Sequence, residues 1–253
     1  VHKLDDASEW DGVLVKVDKA IEKLKKAYPK EVIDGTDFII EEIIQGEEFA
    51  VDCYFDENGD PIVLNIMQHF FATENDVNDR VYSTSKKIIE KYKWEIVKFL
   101  NFLSNSAKLK NFPAHIEIRV DKNKNINAIE VNPMRFGGWC TSADLSWHAY
   151  QLNTYECVQS QNHPEWQKIF ERKEGKKYSV IVLDNNSGIP EEDIDDFDYD
   201  LLLSDFKKPL ELRKVDYKKF TIFGFLFVET PEGDDTELEQ ILNSDLRRYI
   251  IRK

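Results

Sequence analysis

Two alternating stretches carry most of the chemistry in this sequence: His115-Ile116-Glu117-Ile118-Arg119-Val120-Asp121 and Ile126-Asn127-Ala128-Ile129-Glu130-Val131-Asn132. The segment joining them, Lys122-Asn123-Lys124-Asn125, is polar and tolerant of positive φ, so the two read as a hairpin. Pairing Asp121 with Ile126 sets Arg119 opposite Ala128, Glu117 opposite Glu130 and His115 opposite Asn132. One face then holds Ile116, Ile118, Val120, Ile129 and Val131, a core face. The other gathers His115, Glu117, Arg119, Glu130 and Asn132. Carboxylates directly opposite one another repel. A divalent cation offsets that repulsion: Mg²⁺ prefers oxygen and is held by one or two carboxylates together with phosphates. Asn132 adds a carbonyl oxygen on the same face. A solvated face neutralised by Arg119 and His115 is the alternative, and the residues alone leave both open.

After Asn132 the chain reads Pro133-Met134-Arg135-Phe136-Gly137-Gly138-Trp139. Adjacent glycines let a backbone approach an anion closely. Arg135 would set a fixed positive fork beside the cation, suited to phosphate or carboxylate. Cys140 has no histidine partner in view and reads as a packed thiol.

These residues need elements to hold them. Residues 8–28 repeat Trp10, Val13, Leu14, Val17, Ile21, Leu24 and Tyr28 at helical spacing, with Ser8 as cap and Pro29 near the stop. The apolar run Phe38 to Ile44 holds two acids, Glu41 and Glu42, and Gly46 breaks it. Glu48 to Phe55 and Ile62 to Met67 form a hairpin around Glu57-Asn58-Gly59-Asp60. Residues 70–84 lack periodicity and read as a long functional loop. A helix follows with Ile88, Ile89, Tyr92, Ile96, Phe99, Leu100 and Leu103 inward. Beyond the central hairpin, 141–152 suits a short helix and 160–177 a linker or peripheral helix. Strand-like runs occupy 178–183 and 220–228, the latter with Phe220, Phe223, Phe225 and Phe227 on one buried face. A last helix covers about 236–250, and the acidic run Glu191 to Asp200 reads as solvated.

Composition narrows the classes. The 253 residues carry 34 Lys and Arg against 48 Asp and Glu, a net charge of −14. The acid excess argues against a protein that coats nucleic acid. No apolar run approaches the ~20 residues of a membrane span, and the N-terminus lacks a secretory signal pattern. Three widely spaced cysteines, Cys53, Cys140 and Cys157, point to a reducing, cytoplasmic setting. The length allows one or two domains. The opening Val suggests a processed or truncated chain.

The run Glu117 … Glu130-Val131-Asn132-Pro133 … Arg135 … Gly137-Gly138 resembles the metal-binding strand pair, with the loop after it, of the ATP-grasp superfamily. The run Phe38-Ile39-Ile40-Glu41-Glu42-Ile43-Ile44-Gln45-Gly46-Glu47-Glu48-Phe49 resembles its adenine hinge and ribose-contacting acid, in the expected order, although many relatives carry lysine where this chain has Glu42. The resemblance implies an α+β fold of antiparallel sheets flanked by helices. It covers a partial ATP-grasp domain over 1–155, with a small α+β extension over 156–253. It implies ATP with Mg²⁺ or Mn²⁺ as cofactors. Glu117, Glu130 and Asn132 become metal ligands, and Glu41, Glu42, Ile43 and Ile44 meet the adenine. Glu48 meets the ribose, Arg135 the terminal phosphate or the substrate carboxylate, and Arg80 closes over the phosphates. The implied activity is ligation: a small carboxylate is activated as an acyl phosphate and attacked by an amine or thiol. A kinase on the same architecture, or a non-catalytic module whose C-terminal part forms a partner or homodimer surface, are the alternatives. Val1-His2-Lys3 resembles the strand after the family's glycine-rich loop. The phosphate-binding lysine, that loop and the N-terminal domain are thus expected upstream, and the fragment alone binds nucleotide weakly or is inactive.

Overall fold

The computed structural model describes residue 4 and residues 6–27, 39–73, 78–185 and 187–253. They fall into two compact units, one drawn from 1–43 and 73–77, the other from 44–72 and 78–253. In the first, a 3₁₀ turn (Ala7–Glu9) leads into helix α1 (Trp10–Ala27). Asp6, not Ser8, supplies the cap, its carboxylate accepting from the Ser8 backbone N–H at 2.7 Å. Residues 39–43 follow no regular structure. The expected positions Val1, His2, Lys3, Tyr28, Pro29 and Phe38 lie outside the described residues.

In the second unit, hairpin β1 (Glu47–Phe55) and β2 (Pro61–Phe70) precedes β3 (Val81–Ser85) and helix α2 (Lys86–Ala107). Strands β4 (Phe112–Val120) and β5 (Ile126–Pro133) follow, then α3 (Thr141–Tyr150), α4 (Thr154–Ser160) and α5 (Trp166–Phe170). The rest comprises β6 (Lys176–Asp184), β7 (Ile194–Phe197), α6 (Tyr199–Ser204), β8 (Pro209–Lys214), β9 (Ile222–Pro231), α7 (Thr236–Leu242) and β10 (Ile250–Arg252). Eight strands form one antiparallel sheet in the order β5-β4-β1-β2-β3-β6-β9-β8, and β7 pairs with β10 apart from it. The fold is therefore the expected α+β arrangement. The expected boundary after residue 155 falls inside α4, and β6, β9 and β8 extend the sheet past it.

Local chemistry explains the joints. Gly59 turns the first hairpin at φ +93, while one Asp56 carboxylate oxygen accepts from the Asn58 and Asp60 backbone N–H groups at 2.8 and 2.9 Å. Ser85 caps α2 by accepting from Ile88 N–H at 3.1 Å, and Ile88, Ile89, Tyr92, Ile96 and Leu100 bury its inner face. Strand β1 is buried on both faces from Ala50 onward, which makes it a central strand.

Four expectations change. The loop expected over 70–84 contains β3, an interior strand whose polar residues are satisfied by the neighbouring strands: Ser83 meets Ser179 at 2.6 Å, and Thr84 donates to Asn65 at 2.7 Å. Such hydroxyl pairing hides a strand from any search for apolar alternation. The acidic run 191–200 is not wholly solvated, because Ile194 and Phe197 are buried and Phe197 stacks on Phe223 at 3.8 Å. The last helix ends at Leu242, and β10 closes the chain. Phe225 and Phe227 are buried as expected. A bulge, however, turns Phe223 into the other core cluster, and Phe220 stays 39% exposed. Among the described residues no helix is long and apolar enough to cross a membrane.

Candidate functional site

The β4–β5 hairpin sets Glu117 opposite Glu130 and His115 opposite Asn132, as the alternation predicts. A bulge follows Glu117, so Ile118 faces Ala128, Arg119 faces Asn127 and Val120 faces Ile126. The predicted Arg119–Ala128 pairing is therefore off by one residue. Strand β5 is outermost in the sheet, and Ile129 and Val131 are 41% and 38% exposed, not core. An edge strand has a neighbour on one side only, and β4's Ile116, Ile118 and Val120 supply the buried face.

The acids differ in their surroundings. Glu130 is exposed and has no ion pair or hydrogen bond among the described residues. Glu117 is partly buried and meets His115 Nε2 at 3.6 Å, a charge contact too long for a hydrogen bond. Asn132 is buried, and its Nδ2 has no partner among the described residues. His115 is fixed from behind, its Nδ1 lying 2.7 Å from Oδ1 of the fully buried Asp52. Burial opposes a charge on the ring, but the Asp52 hydrogen bond and the nearby Asp52 and Glu117 charges outweigh it and raise the pKa to about 9. Arg119, the other expected neutraliser, is turned elsewhere. Its Nε and one terminal nitrogen donate to Glu48 Oε2 at 2.9 and 2.8 Å, and the other terminal nitrogen donates to the Ile44 carbonyl at 2.6 Å.

Glu48 thus accepts from Arg119 on one oxygen and meets His69 Nδ1 at 2.8 Å on the other. Burial would raise its pKa, but the hydrogen bonds and charges of His69 and Arg119 prevail and hold it below the usual carboxylate range. His69 stacks on Tyr82 with ring centroids 4.2 Å apart. Each oxygen of an ionised carboxylate has two lone pairs, so Glu48 keeps acceptor capacity for a ligand hydroxyl. Glu41, Glu42 and Ile43 belong to the other compact unit, where they are exposed in irregular backbone.

Arg135 is exposed and, among the described residues, bonds only the neighbouring Phe136 carbonyl, at 2.9 Å. Gly137 is required by close approach: a Cβ there would lie 2.6 Å from Ser142 Oγ and 3.2 Å from His115 Cε1. Trp139 and Cys140 both adopt left-handed backbone, φ 57 and 61, at the entry to α3. Cys140 is exposed, not packed as expected, and accepts a long contact of 3.6 Å from the Tyr155 hydroxyl.

Arg80 is a correction. It does not stand open to close over phosphates but is buried, 5% exposed, donating to Asp184 and to the carbonyls of Ile241, Leu242 and Ser244. Its guanidinium closes the end of α7, which leaves no fork for a nucleotide. Sequence reasoning also missed Asp52 and His69. Asp52 had a signal: it is the one charge inside Phe49-Ala50-Val51-Asp52-Cys53-Tyr54-Phe55, an otherwise apolar strand centre.

The donor set suits a hard cation. Among the described residues no three His, Cys, Asp or Glu side chains are placed to hold a metal. The set is instead two opposed carboxylates and the side-chain oxygen of the buried Asn132, a partial oxygen shell that phosphates complete, while the Asn132 Nδ2, a donor with no partner among the described residues, would suit a phosphate oxygen and not the cation.

The family model described as an ATP-grasp domain matches residues 1–143. No curated protein matches the chain. An L-amino acid ligase from Bacillus licheniformis is similar in structure at 18% identity and TM-score 0.61, covering 83% of this chain and 55% of that one. Phosphoribosylglycinamide synthetase from Anaerococcus prevotii is similar at 15% identity and TM-score 0.53, covering 84% and 55%. The biotin carboxylase domain of 2-oxoglutarate carboxylase from Hydrogenobacter thermophilus, a dimer in complex with MgADP, ADP and bicarbonate, reaches TM-score 0.51 at 11% identity, covering 87% and 49%. At such identities the likeness is one of fold. The chain spans about half the length of these solved structures.

Proposed function

This chain belongs to the ATP-grasp family, and from that premise we propose that it forms part of an ATP-dependent ligase joining a small carboxylate to an amine or thiol. One observation carries the reading: Glu117 and Glu130 stand opposite each other beside the buried Asn132, whose side-chain oxygen would join theirs. Glu117, Glu130 and Asn132 would hold Mg²⁺ or Mn²⁺. When bound, the cation would neutralise phosphate charge while the γ-phosphoryl group moves to the substrate carboxylate.

The chain's own residues do the rest by positioning and charge. Arg135, exposed and beside the hairpin, would hold the terminal phosphate or the substrate carboxylate. Glu48, kept ionised by His69 and Arg119, would accept from the ribose hydroxyls. Arg119 also fixes the Ile44 carbonyl, steadying the last hinge residue. Glu41, Glu42, Ile43 and Ile44 are proposed to meet the adenine because of their motif. The similarity in fold to an L-amino acid ligase and to phosphoribosylglycinamide synthetase supports ligation in general. A serine or cysteine nucleophile has no part in this chemistry.

The test is Glu130→Ala in the full-length protein, measuring ATP-dependent phosphate release with candidate carboxylates. Turnover should fall at least ~100-fold, the cost of removing one strong electrostatic stabiliser. Unchanged turnover rejects the metal assignment, and a stable phosphate ester as product rejects ligation.

A further inference from the structure

A buried polar stripe that includes Asn132 runs across the sheet beside the Glu117–Glu130 pair. Asn132 on β5 stands beside His115 on β4, His115 beside Asp52 on β1, and Asp52 beside Asn65 on β2. Beyond Asp52 the stripe is satisfied. Asn65 donates to Ser146 at 2.9 Å and accepts from the Ile66 backbone N–H at 2.9 Å and from Thr84 at 2.7 Å, while Thr84 meets the Tyr150 hydroxyl at 2.8 Å. Asp52 and Asn132 are not fully satisfied. Asp52 is fully buried, its Oδ1 meets His115, and its Oδ2, like the Asn132 Nδ2, has no partner among the described residues. An incompletely paired buried carboxylate is costly, and for packing alone an apolar residue of similar volume serves as well or better.

The His115 ring links three parts of the site. It is held by Asp52 on one side, faces Glu117 Oε1 at 3.6 Å on the other, and lies, behind Ser142, 3.2 Å from where a Cβ at Gly137 would sit. It therefore stands between Glu117 on its own strand and the loop that follows Arg135. We propose that Asp52 and His115 are positioning residues that hold the Glu117 carboxylate in place to share one cation with Glu130 and Asn132. Such outer partners, which orient a ligand without touching the ion, typically change metal affinity by about 10–100-fold when removed. The inference rests on the metal reading of the hairpin given above.

Mn²⁺ binding to the full-length protein in the presence of ADP, followed by electron paramagnetic resonance, tests it. ADP affinity without metal and the melting temperature are measured alongside. Asp52→Asn keeps the shape and one acceptor for His115, so it is the variant chosen to fold. His115→Gln is the second. Both should weaken Mn²⁺ binding by about 10–100-fold while metal-free ADP affinity stays unchanged. Glu130→Gln serves as the reference. If it weakens Mn²⁺ binding while folded Asp52→Asn binds like wild type, Asp52 and His115 serve packing alone and the proposal is overturned. A lower melting temperature with unchanged Mn²⁺ affinity overturns it as well. If Glu130→Gln also binds Mn²⁺ normally, the metal reading itself fails.

Discussion

Arg80 and Arg135 stand in opposite circumstances. Arg80, beside β3, donates to Asp184 and to three carbonyls at the end of α7, whereas Arg135, after β5, bonds only the carbonyl next to it. Their regions differ in the same way. Where the sheet carries β6, Lys177 is buried against Asp235 and Arg80 against Asp184, so the fold's own charges meet there. At the β5 edge, Glu130 has no partner among the described residues and Asn132 Nδ2 is orphaned. A charge already bonded inside the fold is unavailable to a ligand. An unmet group on a rigid strand is available, and its repulsion persists until something binds.

This contrast can be broken or sharpened by three substitutions. The largest effect is expected for Arg80→Ala. It strands a partly buried carboxylate and three carbonyls, and urea unfolding should show a loss of about 3–5 kcal/mol. A loss under ~1 kcal/mol would mean that water replaces the guanidinium, and that this end of the sheet is no better knitted than the other. Next is Glu130→Gln without metal. Removing one of two opposed like charges should stabilise the protein by about 0.2–1 kcal/mol in the same assay. On the proposed metal reading, added Mg²⁺ and ADP should reverse the ranking, because the substitution removes a proposed cation ligand. Destabilisation in the metal-free state would show that Glu130 is already compensated. The smallest effect is expected for Arg135→Ala. As an exposed side chain with one local bond, it should shift stability by no more than about 0.5 kcal/mol. A larger loss would place Arg135 with Arg80 among the structural arginines.

The alternation of β4 and β5 was readable, as was the opposition of Glu117 to Glu130, because a two-residue period assigns faces wherever the ladder is regular. The bulge after Glu117 was not readable. Nothing local marks it, and it left Arg119 opposite Asn127, while the unbroken β1–β4 ladder set Arg119 beside Glu48. Strand β3 was missed because its polar residues are satisfied by Asn65 and Ser179, which are distant in sequence. Cys140 was expected to pack, yet the left-handed entry to α3 leaves it exposed.

The residues alone thus determined the amphipathic helices, most of the strands and the acidic pair, since these follow from side-chain type and spacing along the chain. Only the tertiary structure decided which charges are left for a ligand. That depends on pairings such as Arg80 with Asp184, 104 positions away, and His115 with Asp52, 63 positions away. Electrostatic interaction acts through space over a few ångströms, and the sequence does not say which residues come within that reach.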